Sequence, residues 1–424
     1  MQPWLGLIKN EQNMNPSYLI APLLCSLGIV QIVKSDESPP LIASITKETL
    51  LRNRDGKGKT WFHPRVCMLP GADQTPIALM TLQEIGGSDY FGQVHWSTSA
   101  DLGKSWSTPQ PIAAFGRETV PQRRDGLKAA VCDVTPQYHP ATESVIGLGH
   151  VVFYKGDYFA RNEQLRRYPI YAVRDKEGHW SDRRILEWDD PRSAYIYSNN
   201  CGQRVVLNNG DVQMSFTFGP QAIHRMVAGV RANFDGEQLT VREVGPPLHN
   251  PKGRGLLEPS VTRFDNRFWI TMRAEDNRGY MSVSEDGLHW SDKRPWCWED
   301  GTSLEMSTTQ QHWVTHSDGL FLVYTRKAPE NSNVIRWRSP LWIAQVDTKS
   351  YCLKRSTEQI VLPIVGDGIN QPDKVALMGN FNVTNVNSRE SWITVGEMMP
   401  RNGYLGDVLL ARIRWTKPNK TPIW

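Results

Sequence analysis

Charged side chains that could hold an anion and transfer protons stand at the borders of strand-like segments of this chain. Glu258 precedes an apolar segment, and Arg273 closes the strand that follows it. Arg65 lies at the start of another such segment, and Asp89 lies in a Gly-Ser-Asp turn. A guanidinium can bind a carboxylate through two parallel hydrogen bonds, and a carboxyl group can act as a general acid or base. Side chains of these types could bind an acidic ligand and transfer protons, and a structural Glu258–Arg273 ion pair is the alternative.

Histidines form a second group of candidate site residues. His63 and His150 stand at or near the starts of apolar strands, and His312 follows Gln311 directly. A histidine with a pKa near neutrality can take up or release a proton at physiological pH. We predict His63 and His150 as bases and Gln311 and His312 as ligand contacts. A hydrogen-bonded core residue is the alternative for each histidine.

Two short runs indicate the elements that must position these side chains. Each combines a Ser, an Asp-containing turn with Gly, and a Trp: Ser99–Trp106 and Ser284–Trp290, with Asp175–Trp180 as a weaker third copy. In such an Asp-box, the carboxylate folds back onto backbone N–H groups while the glycine takes a positive φ. Because the runs follow β-rich stretches and repeat along the chain, they predict the blades of a β-propeller.

The rest of the chain agrees with an all-β fold. Strand-like segments bounded by turn residues recur from Val66 to Ile413, whereas helical periodicity is rare. The 424 residues contain no Gly/Ser-rich or Pro-rich linker. We therefore expect one propeller domain at residues 36–424, with six or seven four-stranded blades.

Residues 1–35 differ in composition from the remainder. The stretch from Tyr18 to Val33 is apolar and about as long as a signal-peptide core, and Pro22 interrupts it. We predict export to the periplasm or the extracellular space and no transmembrane span. A short N-terminal strand or anchor is the alternative.

Charge and composition limit the classes of partner and cofactor. The net charge of +4 arises from 48 basic and 44 acidic residues, which is too balanced for a nucleic-acid-binding surface. The sequence has no zinc-binding, EF-hand or phosphate-loop motif, so we expect no cofactor, and only a structural Ca²⁺ in the channel is left open. Six scattered cysteines predict buried free thiols.

The run from Leu257 to Arg273, followed by the second Asp-box, resembles the Glu-containing hairpin of the sialidases. In that family the Glu supports the nucleophile, and the Arg belongs to a cluster that holds the substrate carboxylate. The resemblance covers most of the chain and implies a sialidase-like propeller. It also implies that Arg65 and Arg326 complete the carboxylate clamp and that Asp89 is the catalytic acid.

A retaining sialidase also needs a tyrosine nucleophile in its last blade. The corresponding stretch here reads Gly379-Asn380-Phe381-Asn382 and has no tyrosine. A propeller that lacks this tyrosine but carries histidines resembles, more loosely, the propeller-fold rhamnosyl-glucuronate lyases.

Three functions therefore remain open. The first is an exo-acting glycoside hydrolase that acts on an anionic or terminal sugar of a glycan through Asp89 and Glu258. The second is a polysaccharide lyase that uses His150 or His63 as a base against a uronate. The third is a non-catalytic propeller that binds a glycan or a protein. An anionic oligosaccharide is the expected partner of either enzyme.

Overall fold

The computed structural model describes residues 39–71, 75–121, 123, 125–156 and 158–424. The strands of these residues form six antiparallel sheets that follow one another along the chain, and they confirm the predicted all-β propeller with six blades. The described part contains short 3-10 turns and no α-helix. None of its elements is a helix with the length and apolar character needed to cross a membrane. The predicted segment 1–35 lies outside the described residues, so the domain boundary stays a prediction.

The six blades have the following strands. Blade 1 contains β2 (Trp61–Pro70), β3 (Pro76–Gly87), β4 (Tyr90–Ser99) and β5 (Gln110–Pro111). Blade 2 contains β6 (Glu118–Thr119), β7 (Leu127–His139), β8 (Ser144–Lys155), β9 (Tyr158–Phe159), β10 (Pro169–Arg174) and β11 (Arg184–Ile185). Blade 3 contains β12 (Ile196–Ser198), β13 (Val205–Val206), β14 (Val212–Gly219), β15 (Met226–Phe234) and β16 (Leu239–Val244). Blade 4 contains β17 (Leu257–Phe264), β18 (Arg267–Arg273), β19 (Gly279–Ser284) and β20 (Arg294–Pro295). Blade 5 contains β21 (His312–His316), β22 (Gly319–Tyr324), β23 (Leu341–Asp347), β24 (Cys352–Leu353) and β25 (Gln359–Leu362). Blade 6 contains β26 (Phe381–Asn387), β27 (Glu390–Gly396), β28 (Val408–Trp415) and β1 (Ile42–Leu51).

Strand β1 closes the ring by pairing with the last strand of the chain. It lies antiparallel to β28, so an N-terminal segment supplies the outer strand of blade 6. Arg412 reinforces this closure, because its Nη1 donates to Glu390 at 2.7 Å and its Nη2 donates to Glu48 at 2.9 Å. The closure therefore joins the two ends of the propeller within one blade.

Strands inside the blades are buried along their whole length, even where they carry polar residues. Every residue of β14 and of β27 is buried, since both faces of these strands pack against neighbouring blades. The outer strand β1 has only one fully buried residue, Ile42, and carries charged side chains such as Lys47 and Glu48. Apolar and β-branched residues thus fill the space between blades, and polar residues mark the rim.

Aspartate-containing turns lead from one strand to the next in five blades, between β4 and β5, β10 and β11, β15 and β16, β19 and β20, and β23 and β24. The predicted Asp101, Asp175 and Asp286 each accept backbone N–H groups, with N···O distances of 2.9, 2.7 and 2.8 Å. Two further turns are built in the same way around Asp235 and Asp347. Sequence reasoning missed these two because neither is followed by a Trp at the motif's spacing.

Two of the cysteines form a disulfide, contrary to the expectation of free thiols. The Cys297–Cys352 bridge links the segment after β20 in blade 4 to β24 in blade 5, with the two Cα atoms 5.1 Å apart. A sequence separation of 55 residues hides this contact, which depends on the packing of adjacent blades. Three other cysteines are free and buried, as expected: Cys67, Cys132 and Cys201.

Reduction of this disulfide should destabilise the propeller without changing its chemistry. Closing a loop of 55 residues restricts the unfolded chain and contributes about 2–4 kcal/mol to the free energy of unfolding. We expect urea denaturation of the oxidised protein and of the Cys297→Ser/Cys352→Ser variant to differ by that amount. Equal midpoints would show that the bridge does not stabilise the fold.

Candidate functional site

Three inner strands carry a backbone bulge, and each bulge presents one polar residue. The strand register shifts between Phe62 and Arg65 in β2, between Cys132 and Thr135 in β7, and between Leu257 and Ser260 in β17. The bulged residues have positive φ values: His63 at 51°, Asp133 at 58° and Glu258 at 45°. A left-handed conformation costs a non-glycine residue about 1–3 kcal/mol and is concentrated at functional sites. The bulges therefore mark this end of the inner strands as the candidate site.

Arg65 is fixed at the centre of this site. It is fully buried, and its Nη2 donates to Asp133 Oδ1 at 2.7 Å while its Nη1 donates to the Phe381 carbonyl oxygen at 3.3 Å. His63 Nε2 lies 3.3 Å from the same Asp133 oxygen and 3.1 Å from Asn380 Nδ2. Burial alone would raise the pKa of Asp133, but His63 and the charged Arg65 beside it hold this pKa well below its usual range. Asp133 is thus an ionised anchor, which sequence reasoning missed although it interrupts an apolar strand.

Glu258 and Arg273 form the predicted pair. Arg273 Nη1 donates to Glu258 Oε2 at 2.8 Å, and the two side chains are only 5 % and 16 % exposed. Arg273 ends β18 opposite Leu257, so the hairpin of β17 and β18 brings both residues to the same end of the blade. The pairing leaves Glu258 Oε1 and Arg273 Nη2 without a partner among the described side chains.

Arg338 joins this pair from blade 5. It is buried and forms no ion pair within the part of the chain that the structure describes. Burial, together with the nearby charges of Arg273 and Arg336, lowers the pKa of Arg338 to about 9, and the charges of Glu258 and Asp89 oppose this shift. Arg338 therefore lies within the electrostatic range of both predicted catalytic carboxylates.

The structure does not bring Arg326 to these residues. Its Nε and Nη2 each donate to Glu358 at 2.8 Å, and its guanidinium lies 4.6 Å from the Trp342 ring centroid. The charged groups that shift its pKa are Glu358, Tyr324 and Glu330, and none of them belongs to the site. The further arginines near Glu258 are instead Arg336 and the buried Arg338, which flank Trp337 in a short basic run whose arginines the sequence analysis did not single out.

Asp89 lies at the edge of the same group, in the turn between β3 and β4. Its φ of 55° turns the chain there, and its side chain is 59 % exposed. Its nearest basic group is Arg161 Nη2, at 3.8 Å. The Asp89 charge acts on His63 and Arg338, which places the carboxyl group near both halves of the site.

The three candidate histidines are all buried. His150 Nε2 lies 3.4 Å from Cys132 Sγ, and His312 is held by Ser260 Oγ at 3.1 Å and Gln310 Oε1 at 3.3 Å. Burial is the main cause that lowers the pKa of His63 and His150 to about 4 and that of His312 to about 3. All three rings are therefore neutral at pH 7 and weak as bases.

Gln311 also points away from the arginines. Its Oε1 accepts from Thr271 Oγ1, and its Nε2 lies 3.6 Å from Met306 Sδ, inside the packing of blades 4 and 5. The preceding residue, Gln310, instead donates to Asn380 Oδ1 at 3.3 Å. Of these two glutamines, which both precede β21, Gln310 therefore lies beside the site.

Acidification should destabilise the protein through these histidines. Their folded-state pKa values of about 4, 4 and 3 lie below the ordinary 6.5, so the unfolded chain binds more protons between pH 6.5 and pH 4. The free energy of unfolding should fall across this window, by roughly 2 kcal/mol per histidine at pH 4.5. Urea denaturation at pH 7 and pH 4.5 measures this fall, and His150→Met should make it smaller. A flat profile would contradict the burial of these rings as neutral groups.

Cys132, Asp133 and His150 are grouped closely enough to be considered as metal ligands. One potential ligand atom of each lies within 4.8 Å of the others. However, Arg65 Nη2 already occupies Asp133 Oδ1 at 2.7 Å, and a cation there would face that guanidinium directly. The donor set thus fits a metal poorly, and the absence of a cofactor stays a prediction.

The inner strands continue past the site and line a cavity of about 450 Å³. Its walls include Val66, Thr135, Thr262 and Asn382, each of which follows a site residue along its strand. The C-terminal residues 421–424 also line it.

Solved structures of sialidases have a similar fold. Trypanosoma rangeli sialidase superposes with a TM-score of 0.59 at 13 % identity, over 88 % of this chain and 60 % of that one. The Hadza microbial sialidase Hz136 gives a TM-score of 0.60 at 12 % identity, over 87 % of this chain and 68 % of that one. A protein of unknown function from Dyadobacter fermentans DSM 18053 gives 0.56 at 11 % identity, over 88 % of this chain and all of that one.

One of the Trypanosoma rangeli structures contains sialic acid, and it has a TM-score of 0.57 at 12 % identity, over 88 % of this chain and 59 % of that one. No protein-family model and no curated protein matches this chain. The chain thus spans about 60 % of the length of Trypanosoma rangeli sialidase. The strand topology and these superpositions identify the fold of this chain as the six-bladed β-propeller of the sialidases.

Proposed function

We propose that this protein is a carbohydrate-active enzyme, an exo-acting glycoside hydrolase that removes an anionic sugar from the end of a glycan. The observation that carries the proposal is the buried Arg338, which has no acidic partner among the described residues and lies near the Glu258–Arg273 pair. An unpaired buried cation is unfavourable, and a bound carboxylate would supply the missing charge. Sialic acid, which is present in one Trypanosoma rangeli sialidase structure, is a sugar of this kind.

Three arginines would form the carboxylate clamp. Asp133 holds Arg65, and Glu258 holds Arg273, so both guanidiniums are oriented before a ligand arrives. Arg338 supplies a third guanidinium whose charge is not already neutralised. Such preorganisation reduces the entropy lost on binding and favours a ligand with a planar carboxylate.

The two carboxyl groups would share the proton transfers. Asp89, which is exposed in its turn, donates a proton to the glycosidic oxygen as the bond to the leaving group breaks. Glu258 accepts a proton from a water molecule whose oxygen attacks the anomeric carbon. Water takes the role of the tyrosine here, because Asn380 and Phe381 offer no adequate nucleophile at the start of β26.

The lyase alternative depends on His63 or His150 as the base. Burial lowers the pKa of both rings to about 4, and a base this weak removes the α-proton of a uronate poorly at neutral pH. His150 is, in addition, enclosed beside Cys132. These observations favour hydrolysis over elimination.

We also propose that the protein is exported. The Cys297–Cys352 disulfide supports this location, because such bridges persist in oxidising compartments.

The activity test uses a panel of sialylated and uronate-containing glycans, with reducing ends and near-ultraviolet absorbance followed together. We expect new reducing ends without new absorbance, and no product from the Arg273→Ala variant. Exposed Arg267, which pairs with Glu285 at the opposite end of β18, provides the matched control Arg267→Ala. An absorbing unsaturated product would instead establish a lyase, and no product across the panel would favour a binding propeller.

A further inference from the structure

A second group of arginines lies beside the proposed clamp. Arg167 precedes β10 in blade 2, Arg225 precedes β15 in blade 3, and Arg254 precedes β17 in blade 4. Backbone hydrogen bonds fix two pairs of segments: Arg167 N donates to the Tyr195 carbonyl oxygen at 3.0 Å, and Arg225 N donates to the Arg254 carbonyl oxygen at 2.8 Å. The guanidinium of Arg225 lies 5.6 Å from the Tyr195 ring centroid, so Tyr195 joins the first two arginines.

Two of these arginines lack an acidic partner. Arg254 is paired with Glu275 at 2.7 Å, whereas Arg167 and Arg225 form no ion pair in the described ranges. The Nε of Arg167 is buried and has no hydrogen-bond partner there. Arg225 is only 7 % exposed, and its single side-chain hydrogen bond runs from Nε to the Ala222 carbonyl oxygen at 3.1 Å.

The arginines of this group interact electrostatically with one another and with Arg273 of the clamp. Burial, together with the neighbouring charges of Arg167, Arg254 and Arg273, lowers the pKa of Arg225 to about 10. Burial lowers the pKa of Arg167 as well, and the neighbouring Tyr195 partly opposes this shift by raising that pKa. Two like charges held in a protein interior repel each other, and an oxyanion bound by both would relieve the repulsion.

We propose that Arg167 and Arg225 form a second oxyanion subsite next to the clamp, with Tyr195 between them. This inference rests on the proposed function, since the clamp holds the first anionic group. The substrate is then a glycan with two anionic groups: the carboxylate of its terminal sugar and a sulfate or a second carboxylate close to it. Guanidiniums suit both oxyanions, because each can accept two parallel N–H hydrogen bonds.

The test compares ligands that differ in the second anionic group alone. The probes are a uronate-terminated disaccharide with a sulfate on its second sugar, the same disaccharide with a carboxylate there, and the form with neither. Calorimetry of the wild-type protein should show at least one of the two dianionic probes binding about 10-fold more tightly than the monoanionic probe. The tighter of the two identifies the oxyanion.

The variants Arg225→Gln and Arg167→Gln should abolish that preference and leave the affinity for the monoanionic probe unchanged. Arg225→Lys, which keeps the charge but loses the planar fork, should retain part of the preference, and Arg267→Gln should retain all of it. Thermal unfolding of each variant verifies that it is folded.

Two results would overturn the inference. Equal binding of all three probes by the wild-type protein would exclude the second subsite while leaving the proposed clamp intact. No binding of any probe would contradict the clamp and the subsite together.

Discussion

The Arg338→Met variant should be more stable than the wild-type protein and almost inactive. Methionine fills a similar elongated space without a charge, so the substitution removes the unfavourable burial of an unpaired guanidinium, an effect of about 1–3 kcal/mol. The same substitution removes a charge-assisted contact to the substrate carboxylate, which is worth about 3 kcal/mol and corresponds to roughly a 100-fold loss in kcat/KM. Thermal unfolding and steady-state kinetics measure the two effects independently.

Arg326→Met is the matched control for this prediction. The side chain of Arg326 is 21 % exposed, and unlike Arg338 it is paired with Glu358, which also accepts a hydrogen bond from the Tyr324 hydroxyl at 2.6 Å. Its removal leaves a carboxylate without its counter-charge and should lower the melting temperature while leaving kcat/KM nearly unchanged. If Arg326→Met lost activity and Arg338→Met kept it, the third arginine of the clamp would be Arg326 and not Arg338.

The Asp89→Asn variant should lose more activity on substrates whose leaving group needs protonation than on substrates whose leaving group does not. An amide cannot donate the proton that a sugar leaving group needs, so hydrolysis of natural glycans should fall by about 100-fold or more. An aryl glycoside with an acidic phenol as its leaving group needs little protonation and should lose less than about 10-fold. Initial rates on the two substrate types test this difference.

Asp55→Asn serves as the control for Asp89, because Asp55 is similarly exposed at 58 % and pairs only with Lys57 at 3.2 Å. Its rates on both substrates should match those of the wild-type protein. Equal losses of Asp89→Asn on the two substrates would show that Asp89 binds the ligand without protonating the leaving group.

The fold was predictable because its signals are local. An Asp-containing turn followed by Trp, as at Asp101 and Asp286, has the same hydrogen bonds in the structure that the short motif requires. The Glu258–Arg273 pair was predictable for the same reason, since the two residues belong to a single hairpin.

The rest of the site depends on contacts between blades, which no local pattern records. Asp133 becomes part of the site through a bulge in β7 that turns it toward Arg65 of another blade. Arg338 was overlooked in favour of Arg326 because both lie near strand ends, and only the packing shows that Glu358 already neutralises Arg326. The pairing of β1 with β28 and the disulfide were hidden for the same reason.

The most direct test of the central claim is a calorimetric titration with acidic sugars and their carboxyl-reduced counterparts. The panel contains sialic acid, glucuronic acid and galacturonic acid, each with its neutral reduced form. If Arg65, Arg273 and Arg338 hold a carboxylate, at least one acid should bind, its reduced form should not, and Arg338→Met should abolish the binding. Equal binding of an acid and its reduced form, or undiminished binding by Arg338→Met, would contradict an anionic-sugar site at these arginines.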